Sequence, residues 1–238
     1  MIRARGRWWA YGTGEGGSTL AGLVSDDLVR WQPWTPRVSG AGGHLAGTTH
    51  WWAPEVVEWD EIFHLYFSAG VARALPAPDR AEGDWVPVAL PADDWQLFQR
   101  GRAIHGGTYD WHTCEGPSVV EHEGRFWCLY SGGSWQTEGY GMAAVWADHP
   151  LGPWHAAGAG PTVIRTLAGR VVGPGHASVV ADLAGTDWLA YHAWDEAMTA
   201  AGCASTRCGG RTAVPSATAP APTSDRSRPG ARACLLYA

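Results

Sequence analysis

The sequence predicts an all-β chain folded as a β-propeller. Three observations carry that expectation: an excess of strand-forming and turn-forming residues, a near absence of helical periodicity, and a hairpin that recurs along the chain. The 238 residues include 16 Trp, 32 Gly and 16 Pro. Bulky aromatics favour strands, and Gly and Pro punctuate the turns between them. A β-sandwich also has short strands and regular turns, but nothing in it requires one hairpin to recur at the length of a blade.

The first clear copy of the hairpin is PEVVEWDEIFHLYFSAG, residues 54–70. It aligns without a gap with PSVVEHEGRFWCLYSGG, residues 117–133, which starts 63 positions later. Both run from Pro and Val-Val-Glu through a polar turn into an aromatic-rich strand. A third copy, ASVVADLAGTDWLAYHAW, starts at Ala177, 60 positions further on, and needs a longer turn. The N-terminal MIRARGRWWAYGTG reads as a fourth copy without its beginning. Segments such as AGLVSDDLVRW and YGMAAVWAD add one or two more strands to each unit, which is the make-up of a propeller blade. Equivalent hairpins of a propeller start their inner strands around one axis. Glu55, Glu115 and His176 lie at or just before these starts, so they are expected to open onto one central pocket.

Composition narrows the partners. Net charge is -6 with a pI near 5.9, and no cluster of Lys and Arg is interleaved with aromatics, so nucleic acid is not an expected ligand. No apolar stretch is long enough to span a bilayer, and no signal-peptide pattern follows the basic start, so no membrane partner is expected. The chain as written reads as cytoplasmic, with secretion expected only if a leader precedes Met1. Five cysteines is an odd count that argues against a disulfide framework, and reduced thiols are expected.

Taken in order, WAYGTG, SDDLVRW, WAPEV, EGPSVV, YSGGSW followed by Tyr140, LGPW, GPGHASV and YHAW resemble the motif series of glycoside hydrolase family 43. The resemblance runs from Ile2 to about Thr199. It implies a five-bladed β-propeller that cleaves arabinofuranosyl or xylosyl linkages with inversion. It also implies roles. Glu115, in the Glu-Gly-Pro motif, matches the general acid; Trp52 matches the tryptophan lining the sugar pocket; His176 matches an axial histidine often near a calcium ion or a water. Glu55, Trp135 and Tyr140 join Trp52 and His176 as expected sugar-binding residues. No cofactor is required, and calcium at the axis, with His176 as its ligand, is the one metal the resemblance brings in.

Inverting hydrolysis uses a protonated carboxylic acid at the leaving oxygen and an ionised carboxylate that activates water, about 6.5–9.5 Å apart. A third carboxylate tunes the acid. The family places its base Asp just before a Val-Ile-Arg and its tuning Asp in an Ile-Asp-Pro of the third blade; neither motif is here. Met1-Ile2-Arg3 falls on the Val-Ile-Arg, so the base is expected upstream of it. Residues 71–86 stand where about one blade of family sequence is expected. Beyond Ala200 the chain turns to Ala, Pro, Thr, Ser and Arg, a composition that buries no core. Reading Ala204 to Ala213 two nucleotides later, with GC-rich codons, spells a segment like the family's close, which points to a frameshift.

The ordinary readings compete at each residue. A Glu at a strand start is usually solvated, and Trp51, Trp52 and Trp135 also suit blade packing. His176 also suits a core histidine bonded to backbone. GTGEGG opens no βαβ unit and reads as a turn, and Cys114 beside His112 reads as a buried thiol. Asp110 and Glu55 are the other pocket-side carboxylates, of which Glu55 is the better substitute base. The sequence therefore predicts an incomplete propeller of about four blades over residues 1–200 and a low-complexity tail over 201–238, disordered or frameshifted. The expected activity is hydrolysis of arabinose- or xylose-containing saccharides, impaired in this chain. The alternatives are a noncatalytic carbohydrate-binding propeller and a fructan-cleaving relative.

Overall fold

The computed structural model describes residues 1–14, 20–34, 48–71, 87–91, 93–104 and 107–208. Fifteen strands in five antiparallel sheets make up the described chain. The N-terminal blade holds β1 (Ile2–Ala4), β2 (Arg7–Thr13), β3 (Leu20–Ser25) and β4 (Gln32–Trp34) in sequence order. The second blade is the hairpin β5 (Thr48–Trp59) and β6 (Ile62–Val71). A separate hairpin, β7 (Leu97–Ile104) and β8 (Gly107–His112), follows a 3-10 turn at Asp94–Gln96. Next comes the blade that carries Glu115, with β9 (Cys114–His122), β10 (Arg125–Gly132), β11 (Gly141–Ala147) and β12 (His155–Ala156). The last blade is β13 (Val172–Ala181), β14 (Asp187–Trp194) and β15 (Ala201–Arg207). Among the described residues the expected all-β propeller forms, incomplete in that two of its five sheets are bare hairpins.

Turn chemistry sets the repeat. β1–β2, β5–β6 and β9–β10 are each joined by two residues, Arg5-Gly6, Asp60-Glu61 and Glu123-Gly124, all with positive φ. That is the geometry of a hairpin turn whose twist matches its strands. The third full copy needs the longer turn its sequence implies: Asp182 Oδ1 accepts from the backbone N–H groups of Ala184 and Thr186, each at 2.9 Å.

The Glu115 blade is sandwiched. On one side Val119, Phe126, Cys128 and Val145 pack with Tyr66 of the second blade. On the other Trp127, Leu129, Met142 and Ala144 pack with Ala177, Leu189 and Tyr191 of the last blade. Side-chain and backbone bonds stitch neighbouring blades together. Thr13 Oγ1 accepts from the Ala53 N–H at 3.1 Å, and Ser131 Oγ accepts from the His176 N–H at 2.8 Å. Glu55 Oε2 accepts from the Val119 N–H at 2.6 Å, so the second blade sits directly beside the Glu115 blade.

Three expectations are corrected or limited here. The patterned chain does not stop at 200: β15 pairs with β14 from Trp194↔Ala201 to Trp188↔Arg207, and Thr206 on it is buried. Low apolar content did not prevent this, because a ready-made strand edge supplies the pairing. Cys203 is disulfide-bonded rather than reduced, on the exposed face of that edge strand, while Cys114, Cys128 and Cys208 are free thiols. The blade-length replacement at 71–86 and the tail at 209–238 lie outside the described residues, apart from the backbone of Val71. No helix among the described residues is long and apolar enough to cross a membrane.

Candidate active site

One irregularity, repeated in three inner strands, builds the site. Register slips between Trp52 and Glu55 on β5, between Glu115 and Ser118 on β9, and between Gly175 and Ser178 on β13. At each slip the backbone is left-handed: Ala53 at φ 52°, Gly116 at 60° and His176 at 51°. A bulge of this kind re-aims the side chains beside it. The residue just before it is Trp52 on β5 and Glu115 on β9, and these two side chains meet.

The Trp52 indole Nε1–H donates to Glu115 Oε2 at 2.8 Å, and the Tyr140 hydroxyl donates to Oε1 at 2.7 Å. Tyr140 ends the loop from β10 to β11 and is buried. Its ring lies so close over Gly175 that a Cβ there would overlap it. Burial, then the charge of Glu115 and its hydrogen bond, hold the phenol well above its ordinary pKa, so Tyr140 keeps its proton. Glu115 itself is half-buried, which leaves it open to a ligand.

His176 closes the other side. Its ring lies over Gly116, where a Cβ would stand 3.0 Å from the imidazole Cγ. His192 is 6.1 Å away, ring to ring, and 5.7 Å from the Tyr140 ring. Burial lowers the His176 pKa despite its exposed edge, with Glu115 opposing, and pushes His192 down to about 4 with His176 adding to the shift. Both rings are therefore neutral at pH 7. His192 lies in YHAW and drew no role from the sequence. The hydroxyls of Thr13 and Ser131 were missed as well, although both recur at one place in the repeat.

Glu55 is not brought to this group. In the repeat it aligns with Ser118 and Ser178, not with Glu115, and the bulge turns it toward the next blade. There it takes the Val119 N–H and, at 3.4 Å, the Ser118 hydroxyl. Burial pushes its carboxyl up to about 7, opposed by the Val119 N–H, the Met1 amine and Ser118. Asp110 is tied elsewhere, to Arg100 Nη1 at 3.3 Å and the Gly101 N–H at 2.9 Å. Trp135 shares the Tyr140 loop, but its ring stacks on Phe98 with centroids 4.4 Å apart and its carbonyl takes the Trp194 indole N–H at 2.7 Å. Burial raises the Cys114 thiol to about 12, which removes it as a nucleophile.

Among the described residues no three His, Cys, Asp or Glu side chains gather as a cation shell, and both Glu115 oxygens already accept from neutral donors. Calcium at His176 would therefore take its remaining oxygen ligands from water rather than from a protein shell.

The site is thus a single half-buried carboxyl held by an indole and a phenol where neighbouring blades meet, a group able to accept or deliver a proton. The family is also shown: residues 92–211, half of the chain, match Glycosyl hydrolases family 43, and the chain belongs to it. No curated protein matches the chain. Among solved structures it is similar to a thermostable family-43 glycoside hydrolase, at 19% identity and TM-score 0.53 over 98% of this chain and 94% of that one. It is also similar to Xyloglucan PUL GH43B of Bacteroides ovatus, at 12% identity and TM-score 0.54 over 87% and 39%. An exo-1,5-alpha-L-arabinanase from a bovine ruminal metagenomic library aligns at 17% identity and TM-score 0.46 over 88% and 91%. The first two likenesses establish the propeller fold of the five-bladed family type, and by family the chain is a glycoside hydrolase with a carbohydrate ligand.

Proposed function

We propose that this chain binds arabinofuranosyl- or xylosyl-containing saccharides at the Glu115 site, with Glu115 as the general acid of inverting hydrolysis and with turnover impaired. The carrying observation is the Trp52–Glu115–Tyr140 cluster, which holds a half-buried carboxyl in one orientation beside His176. Family resemblance supplies the sugar class. Impairment rests on the two other candidate carboxylates: Glu55 faces the next blade and Asp110 is held by Arg100. A positioned acid without a positioned base loses a proton transfer worth about 10²- to 10⁴-fold. The same observation favours, as a second reading, a carbohydrate-binding propeller that no longer turns over.

Azide separates the two. It needs no deprotonation, so it substitutes for the activated water: it bonds to the anomeric carbon, the aryl oxygen leaves with the bonding pair and the Glu115 proton, and a glycosyl azide forms. Phenyl arabinofuranoside or xyloside, whose poorer leaving group needs the proton, should turn over negligibly alone, turn over with azide, and lose that azide-dependent rate in Glu115→Ala. Saccharide binding without any azide-dependent product would favour the binding module. Ordinary turnover without azide would overturn the impairment, and turnover of fructans alone would move the chain to the fructan-cleaving alternative.

A further inference from the structure

The two donors on Glu115 differ in kind. An indole N–H donates and never accepts, whereas a phenol hydroxyl does either. Trp52 Nε1 is 2.8 Å from Oε2, and Tyr140 Oη is 2.7 Å from Oε1. Oε2 therefore satisfies its neighbour only as an acceptor, in the ionised and in the protonated carboxyl alike. A proton on Oε2 would displace the indole N–H and leave that donor unpaired in a half-buried place, a costly arrangement. A proton on Oε1 costs less, because the Tyr140 hydroxyl turns to accept it and hands its own hydrogen to Ser131, its other hydrogen-bond partner.

We propose that Trp52 is the positioning residue of the acid: its indole N–H fixes Oε2 as the acceptor and so assigns the transferable proton to Oε1, on the Tyr140 side. This rests on the reading of Glu115 as the general acid. As the glycosidic C–O bond breaks, the Oε1–H bond breaks with it and the proton passes to the leaving oxygen. The electron pair stays on Oε1, and the Tyr140 hydroxyl turns back to donate to it. Trp52 reaches Oε2 because the second blade lies directly beside the Glu115 blade, an adjacency secured by the bond from Val119 N–H to Glu55.

The test reads geometry and needs no turnover. In the full chain, Glu115→Gln replaces the protonated carboxyl by an amide of similar shape, with one acceptor and one donor end. The amide oxygen should face Trp52 and the NH₂ should face Tyr140, with that orientation favoured by about tenfold or more. In a nuclear Overhauser spectrum the side-chain NH₂ should therefore connect to the Tyr140 ring protons and not to the Trp52 indole N–H proton. Replacing Trp52 in this variant by 3-benzothienylalanine, which keeps the ring shape and lacks the N–H, should let both orientations appear. An NH₂ facing Trp52 in the first variant, or a single unchanged orientation in the second, would overturn the proposal, since packing alone would then set the geometry. Should the double replacement fail to fold, the indole proton of the otherwise unaltered chain decides. It should keep its hydrogen-bonded shift as the carboxyl protonates, and losing it places the proton on Oε2. Failure of the acid reading shows separately, as azide-dependent turnover that survives Glu115→Ala.

Discussion

Glu55 and Glu115 lie on neighbouring inner strands, yet one is a clasp and the other a candidate acid, and a single bulged residue separates their fates. Glu115 precedes the left-handed position of its strand, whereas Glu55 follows Ala53 by two residues and reaches across to Val119. Counting from strand starts cannot see this, because a bulge changes the face on which every later side chain emerges. The repeat alignment did contain the signal, since Glu55 falls opposite Ser118. Trp52, Glu115 and Tyr140 each stand out in the sequence by a short motif, while the bonds that bring the three together were not legible. The clasp makes a pH prediction. The Glu55 carboxyl lies at about 7 in the fold against 4.5 for the free group, so the folded chain holds an extra proton between those values. Its contribution is fully present below about pH 4.5 and is lost as pH rises through 7. Glu55→Gln keeps an oxygen for the Val119 N–H and removes the titration. Urea unfolding at pH 5 and pH 8 should show the parent losing more stability at the higher pH than the variant, by on the order of 1–3 kcal/mol. Equal pH dependence in the two chains would remove Glu55 from the account.

At the scale of elements, hairpins were the most legible feature and the last strand the least. Arg5-Gly6 and Glu123-Gly124 announce tight turns through their glycine, and the Pro-Val-Val pattern marks the strand that precedes each hairpin. β15 carries no such mark: AGCASTR is small and polar, a poor strand by propensity. It forms because β14 offers an unpaired edge and because Thr206 drops into the core behind it. Tertiary context overrides composition here, and an expected boundary at residue 200 therefore cuts through a sheet. A chain ending after Ala200 exposes Leu189 and Tyr191, both buried in the core of the last blade, together with a full strand of backbone donors and acceptors. Compared with a chain ending after Cys208, it should lose cooperative thermal unfolding, or melt at a clearly lower temperature, as followed by near-ultraviolet circular dichroism. Matching melting curves for the two truncations would show that β15 adds nothing to the fold.

Among the described residues the two sides of the blades differ in burial. The Glu115 blade is buried on both faces of β10, whereas β14 alternates buried and half-buried residues, and β13 leaves His176, Ser178 and Val180 exposed along one face. Ser118, which matches Ser178, is buried and accepts from the Val179 N–H at 3.4 Å. Among the described residues Ser178 takes no comparable bond, so the clasp that joins the second, Glu115 and last blades stops there. Sequence pattern disclosed a propeller but not which inner-strand face is left exposed among the described residues, because that depends on which blade face finds a partner. An open inner-strand face beside the exposed Val180 and Leu183 favours contact with a second copy of the chain. Sedimentation velocity from dilute to concentrated protein should show concentration-dependent association. Val180→Asp places a charge on that face without entering either apolar cluster, and it should shift the population toward monomer while leaving saccharide binding at Glu115 in place. A chain that stays monomeric throughout, or association that Val180→Asp leaves unchanged, would mean that the open face is covered by some part of the chain itself.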